Sequence, residues 1–153
     1  MSIEEKIKEL GLNLPTPAVA VANYVPFVIT GNLISISGQL PMGLDGPLYF
    51  GKVGAEVSPE QAVDAAKHCA LNIIAQVKLA LGGDLERVEQ IVRLGGFVNC
   101  VDGFSGQPAV INGASDLMVA IFGDGGRHSR AAVGVNALPL NVPVEIDALI
   151  EIK

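Results

Sequence analysis

The chain has 153 residues, half of them apolar, with 10 Lys and Arg against 16 Asp and Glu for a net charge of −6. That length suits one domain with a real core, while an acidic chain without a run of Lys or Arg is a poor partner for a phosphate backbone, so nucleic acid is not an expected ligand. Charged residues make up 17%, below the roughly 25% of an ordinary soluble domain, which points to extra buried surface in an oligomer.

Ser2 followed by Glu5 has the pattern of a capping box, and Ile3, Ile7 and Leu10 recur at helical spacing before Gly11, so a short helical extension is expected over about residues 2–10. "LNLPTPAVAVANY" carries two prolines and is not a central strand. "PFVITGNLISISGQLP" reads as a hairpin around Gly31-Asn32, with Leu33 to Ser37 as its second strand. The sequence from Ser58 gives the strongest helix signal: Ser58 caps, Pro59 sits at the first helical position and Gln61 completes the box. Ala62, Ala66, Cys69, Ile73, Val77 and Leu81 form its apolar stripe, while Asp64, Lys67, His68, Gln76 and Lys78 fall off it. "VEQIVRLGGFVNCV" is a long strand. "AVINGASDLMVAIFG" is a second long helix, with Val110, Ile111, Ala114, Leu117, Met118, Ile121 and Phe122 at helical spacing.

"GDGGRH" reads as a flexible connection to two closing strands, "SRAAVGV" and "PVEIDALIEI", joined through "NALPLN". With a hairpin at each end and two long helices between, the expected fold is α+β: one domain over 1–153, one mixed β-sheet backed by two helices. No apolar run reaches the ~18 residues of a membrane helix, and "MSIEEKIKEL" is charged where a signal peptide is apolar, so the expected location is the cytoplasm. Cys69 and Cys100 lack CxxC spacing and read as small buried hydrophobes. His68 and His128 lack HxxxH spacing, so neither a metal nor another cofactor is expected.

Parity along the last strand puts Val144, Ile146, Ala148, Ile150 and Ile152 on one face and Glu145, Asp147, Leu149 and Glu151 on the other. Arg130 shares its face with Ala132 and Gly134, whose small size leaves room beside a long side chain for a ligand or another chain. If the closing strands pair with Val135 opposite Val144, Arg130 and Glu145 share a face. A slip of one residue separates them.

Four segments in order, "NYVPFVITGNLISISGQLP", the Ser58 helix, "FVNCVDGF" and "SRAAVGVNALPLNVPVEIDALI", resemble the Rid family, also called YjgF-like or endoribonuclease L-PSP proteins, from about Tyr24 to Ile150. The resemblance implies a chorismate-mutase-like fold and a homotrimer with ligand clefts between subunits. It also implies hydrolysis of reactive 2-imino and enamine acids to 2-oxo acids and ammonia. On that likeness Arg130 matches the arginine that holds the substrate carboxylate and Glu145 the acid that positions water. Tyr24, Ser37, Gly38 and Asn112 match residues beside the substrate. Two departures stand out: a short insertion at "SGQP" before Asn112, and Ala132 where many members have a cysteine. The N-terminal helix belongs to a longer branch.

The residue types suit that chemistry. A 2-imino acid has a carboxylate beside an electrophilic carbon, and a guanidinium offers a carboxylate two parallel N–H donors. A glutamate in reach of water orients it or takes its proton. Imines hydrolyse unaided, so no Ser-His-Asp or Cys-His arrangement is needed. Each residue also has an ordinary reading: an ion pair between subunits for Arg130, a solvent-facing strand residue for Glu145, sheet packing for Tyr24, a helix surface for Asn112. His128, two residues before Arg130, is a weaker candidate base. The alternatives are a small-carboxylate-binding or regulatory protein without turnover and, less favoured by the charge, an endoribonuclease or translation inhibitor.

Overall fold

The computed structural model describes residues 1–19 and 22–153. Helix α1 (Ile3–Glu9) carries the expected box: Ser2 Oγ accepts from the Glu5 amide at 3.1 Å, and the Ser2 amide donates to Glu5 Oε2 at 2.7 Å. Strands β1 (Phe27–Thr30) and β2 (Leu33–Gln39) form the first hairpin, reversing at Gly31 with φ +56°. The Pro/Gly loop that follows folds into a two-stranded ribbon, β3 (Met42–Gly43) and β4 (Gly46–Pro47). Helix α2 (Pro59–Ala80) starts with the Ser58–Gln61 box and Pro59 in place. Strand β5 (Val88–Asn99), helix α3 (Gln107–Phe122), strand β6 (Ser129–Val135) and strand β7 (Val144–Ile152) complete the chain. Residues 12–19 and 22–26 are neither helix nor strand, as their prolines require, and residues 20 and 21 of that stretch lie outside the described ones.

The fold is the expected α+β arrangement: a five-stranded mixed sheet, order β1-β2-β7-β5-β6, with α2 packed on β7 and β2, and α3 on β5 and β6. The inner face carries Ile34, Ile36, Leu94, Val98 and the alternating set from Val144 to Ile152, all buried under the helices. The parity read for the last strand therefore holds: its burial alternates residue by residue.

The closing hairpin is corrected. β6 and β7 are not neighbours, because β5 lies between them, parallel to β6 and antiparallel to β7. The connection crosses the end of β5, where buried Asn99 holds it: its amide donates to the Pro143 carbonyl at 2.8 Å, and its side chain donates to the Val142 carbonyl at 3.2 Å. The crossing turn contains Leu140 and Asn141 at φ +55° and +58°, a left-handed conformation unusual for leucine. A 12-residue strand that finds partners on both sides offers more hydrogen bonds than a terminal hairpin alone.

Helix α2 is buried beyond its apolar stripe. Gln76, off the apolar stripe, is fully buried, as is Asn72. The face away from the sheet is covered by the N-terminal stretch and the ribbon: Gln76 Nε2 donates to the Ala18 carbonyl at 2.8 Å and Asn72 Nδ2 to the Met42 carbonyl at 3.1 Å. The helix therefore reads as one-sided in sequence and is enclosed on two sides in the fold.

The helices touch where Gly113 of α3 meets the backbone of Val63, and a methyl group at Gly113 would overlap the Val63 carbonyl oxygen. The obstacle is backbone, which yields less readily than a side chain. Gly113→Ala is accordingly expected to destabilise the protein by about 1–3 kcal/mol, although alanine is the better helix former. Urea unfolding reads this as a lower midpoint at unchanged m.

Candidate functional site

Two clusters gather the residues singled out in the sequence. The first lies on the outer face of the sheet, which no helix among the described residues covers. Between Ile36 and Gln39 the pairing of β2 with β7 shifts register, and Ser37 and Gly38 occupy that irregularity. Ser37 is half-buried, with its hydroxyl donating to the Val25 carbonyl at 2.8 Å and its amide to the Pro26 carbonyl at 2.9 Å. It thereby ties down the segment that carries Tyr24, whose side chain is exposed. Gly38 faces Glu145 so closely that a Cβ on it would lie 2.5 Å from Glu145 Oε1. The missing side chain is what lets the carboxylate lie over the strand.

Glu145 is half-buried. Burial first, and then the like charge of Asp147, push its carboxyl above the ordinary carboxylate value. A carboxylate shifted in that direction is a better proton acceptor at neutral pH than a solvated one. Its neighbours across the sheet, in a row through β5, are Phe97 and Val133.

The second cluster lies at the β6 edge, on the helix side. Arg130 pairs with Leu94, which pairs with Ala148, so its side chain belongs to the inner face and reaches α3. Arg130 Nη1 donates to Asn112 Oδ1 at 2.9 Å and to Ser115 Oγ at 3.0 Å, and Nη2 donates to the Pro108 carbonyl at 3.3 Å. Three of the five N–H donors of a guanidinium are thus engaged, and among the described residues Nε–H and one Nη2–H are left on adjacent nitrogens.

Arg130 and Glu145 therefore lie on opposite faces of one sheet, because the row through Leu94 and the row through Phe97 are three residues apart on β5. The register on which they would share a face required β6 and β7 to pair directly. Of the small residues beside Arg130, Ala132 packs in part against the core, and a Cβ on Gly134 would lie 2.9 Å from both Cys100 Sγ and Gln107 Nε2, so Gly134 admits the start of α3.

Ser115 was not singled out by the sequence reading, although a signal exists. Pro108, Asn112 and Ser115 stand at i, i+4 and i+7, one stripe of α3, and that stripe is what Arg130 meets. His128 was expected in a flexible connection. It instead follows a 3-10 turn, Gly123–Gly126, and is fixed at both ring nitrogens, Nε2 at 2.8 Å from Ser115 Oγ and Nδ1 at 2.7 Å from the Gly126 carbonyl. Elsewhere, a groove of 1010 Å³ lies between the N-terminal stretch, the ribbon and α2, lined by Leu14, Leu44, Lys67, His68 and Asn72 among others. It holds no residue of either cluster. Among the described residues no group of three His, Cys, Asp or Glu side chains is placed to hold a metal ion, and no helix is long and apolar enough to cross a membrane.

Comparison with known proteins agrees with the architecture. Residues 4–151 match the family described as "YjgF/chorismate_mutase-like, putative endoribonuclease". Protein TCP17 of Trypanosoma cruzi is 42% identical over 152 residues, covering 99% of this chain and 94% of that protein. The crystal structure of Atu1372 from Agrobacterium tumefaciens, a protein of unknown function, is 51% identical, covers 99% of this chain and 92% of its own, and superposes with a TM-score of 0.93. RidA from the Antarctic bacterium Psychrobacter sp. PAMC 21119 is 30% identical over 90% of this chain and 94% of its own, with a TM-score of 0.61. The sheet order, the two long helices and the match over nearly the whole length lead to one conclusion: the chain belongs to the YjgF/chorismate-mutase-like family.

Proposed function

We propose that the protein hydrolyses small 2-imino or enamine acids to the corresponding 2-oxo acid and ammonia, in clefts between the copies of a homotrimer. The observation that carries this reading is the state of Arg130: a guanidinium held by three hydrogen bonds to α3 with two N–H donors left on adjacent nitrogens. A planar carboxylate is the acceptor that matches such a pair.

Glu145 supplies the other half. Its carboxylate, whose proton affinity is raised by burial and by Asp147, takes a proton from water as the water oxygen bonds to the carbon of the protonated imine and the C=N bond becomes single. It returns that proton to the amino nitrogen of the resulting tetrahedral adduct, the C–N bond breaks to release ammonia, and the hydroxyl proton passes to the carboxylate as the C=O bond of the 2-oxo acid forms. The backbone at Gly38 borders the acid, and Ser37, next to it in the chain, ties down the segment that carries Tyr24. Asn112 holds the arginine, a role different from direct substrate contact. Because Arg130 and Glu145 occupy opposite faces of the sheet, the two halves meet only when different copies contribute them. The uncovered outer face, with Val28 and Val133 exposed at 52% and 46%, favours such an assembly.

The carboxylate-holding half is complete within one chain, which makes a carboxylate-binding protein without turnover the second reading. A net charge of −6 counts against the endoribonuclease reading. The deciding assay generates the imine with an amino-acid oxidase and follows release of 2-oxo acid and ammonia. Acceleration over the spontaneous rate supports hydrolysis, and an unchanged rate contradicts it.

A further inference from the structure

The contacts of His128 form a one-way chain of hydrogen bonds that ends on Arg130. The Gly126 carbonyl can only accept, so His128 Nδ1, 2.7 Å away, carries the ring proton. In the neutral ring Nε2 is then an acceptor, and the Ser115 hydroxyl 2.8 Å from it donates. With its proton committed, Ser115 Oγ presents a lone pair to Arg130 Nη1 at 3.0 Å. The donors run Arg130 to Ser115 to His128 to Gly126, each link within ordinary hydrogen-bond length.

The surrounding turn holds this order in place. Gly126 is buried, and a Cβ on it would overlap the Met118 carbonyl, while a Cβ on Gly125 would lie 2.9 Å from the Glu89 carbonyl. Only residues without side chains let the turn approach α3 and β5 this closely. A serine in mid-helix otherwise tends to donate to the carbonyl of its own preceding turn, and this hydroxyl is aimed elsewhere.

We infer that Ser115 and His128 are positioning residues for Arg130: His128 fixes the rotor of the Ser115 hydroxyl, and the hydroxyl fixes Nη1, so that Nε–H and the remaining Nη2–H keep one orientation. This inference rests on the proposed carboxylate-holding role of Arg130 for its functional consequence. Its structural content is independent of that role. Both act through the arginine.

Three measurements test it. In the wild-type protein, nitrogen-15 NMR of the His128 ring is expected to show the Nδ1–H tautomer, and the Nη1 and Nη2 signals of Arg130 are expected to be resolved rather than averaged by rotation. Ser115→Ala, which alanine's helix propensity favours, and His128→Ala should each average those signals. Each should also raise KM for imine hydrolysis by about three- to tenfold, with kcat within about twofold. The double variant should be no worse than either single one, because both act on one chain of bonds. Ser115→Thr, which keeps the hydroxyl, should restore the wild-type values. An Nε2–H tautomer, unchanged Arg130 signals in both variants, or additive losses in the double variant would overturn the inference. If Arg130→Ala itself leaves KM unchanged, the carboxylate reading fails, and the NMR signals then decide the positioning role alone.

Discussion

Replacing Arg130 with alanine will reduce kcat/KM for imine hydrolysis by about 10²- to 10⁴-fold, the equivalent of two charge-assisted hydrogen bonds at about 1.5–3 kcal/mol each. The loss should leave the oligomer intact. Arg130 sits at the edge of the sheet, and its removal vacates acceptors on Asn112, Ser115 and Pro108 that water can satisfy at a half-exposed site. Size-exclusion chromatography with light scattering, run beside the 2-oxo acid assay, separates loss of chemistry from loss of assembly. Arg130→Lys should recover little, because an ammonium cannot reproduce the bonds to two α3 side chains while offering a second adjacent pair of donors.

Glu145→Gln carries the second large effect and splits the two functional readings. Turnover should fall by about 10²- to 10³-fold, while affinity for a 2-oxo acid product stays within about threefold. Equal loss of both would point to a structural role for the carboxylate. The same variant has a stability signature with a definite sign. Because burial and Asp147 raise the Glu145 carboxyl, the folded state binds its proton more tightly than the unfolded state. Stability is then lost as pH rises from the ordinary carboxylate value through the raised one, and the destabilisation is complete above the raised value. Glutamine has no charge to bury. The variant should therefore melt about 1–3 °C above the wild type at pH 7, and the difference should vanish below the carboxylate range.

Much of the fold follows from local chemistry. The boxes at Ser2 and Ser58, the Gly31-Asn32 hairpin and the 3.6-residue stripe of α3 are decided within a few residues of chain, so the sequence displays them directly. What the sequence does not display is pairing at a distance. The closing strands are adjacent in sequence with a short link, which reads as a hairpin. Only the preference of β5 for two partners, and the anchor that Asn99 gives to the crossing at Val142 and Pro143, places them apart. That difference turns Arg130 toward α3 and Glu145 toward the uncovered face.

Gln76 gives the same lesson for a helix. Its off-stripe position follows from periodicity, and its burial follows from a stretch about sixty residues earlier in the chain that lies over α2. Family likeness pointed to Arg130, Glu145, Gly38 and Asn112 as a set, and the structure divides that set into two clusters. Ser115 escaped notice because a serine on a helix surface is unremarkable until its i, i+4, i+7 companions are seen to meet one arginine.

In the proposed mechanism Arg130 of one copy and Glu145 of another complete each site. Mixed oligomers of Arg130→Ala and Glu145→Gln chains, co-expressed with different tags, test it directly. In a random equal mixture about a quarter of heterologous sites would pair an intact Arg130 with an intact Glu145 from its neighbour. Two inactive variants together are expected to recover about a quarter of wild-type imine hydrolysis. Mixed oligomers as inactive as either parent would contradict it, because each chain of the mixture lacks one of the two groups.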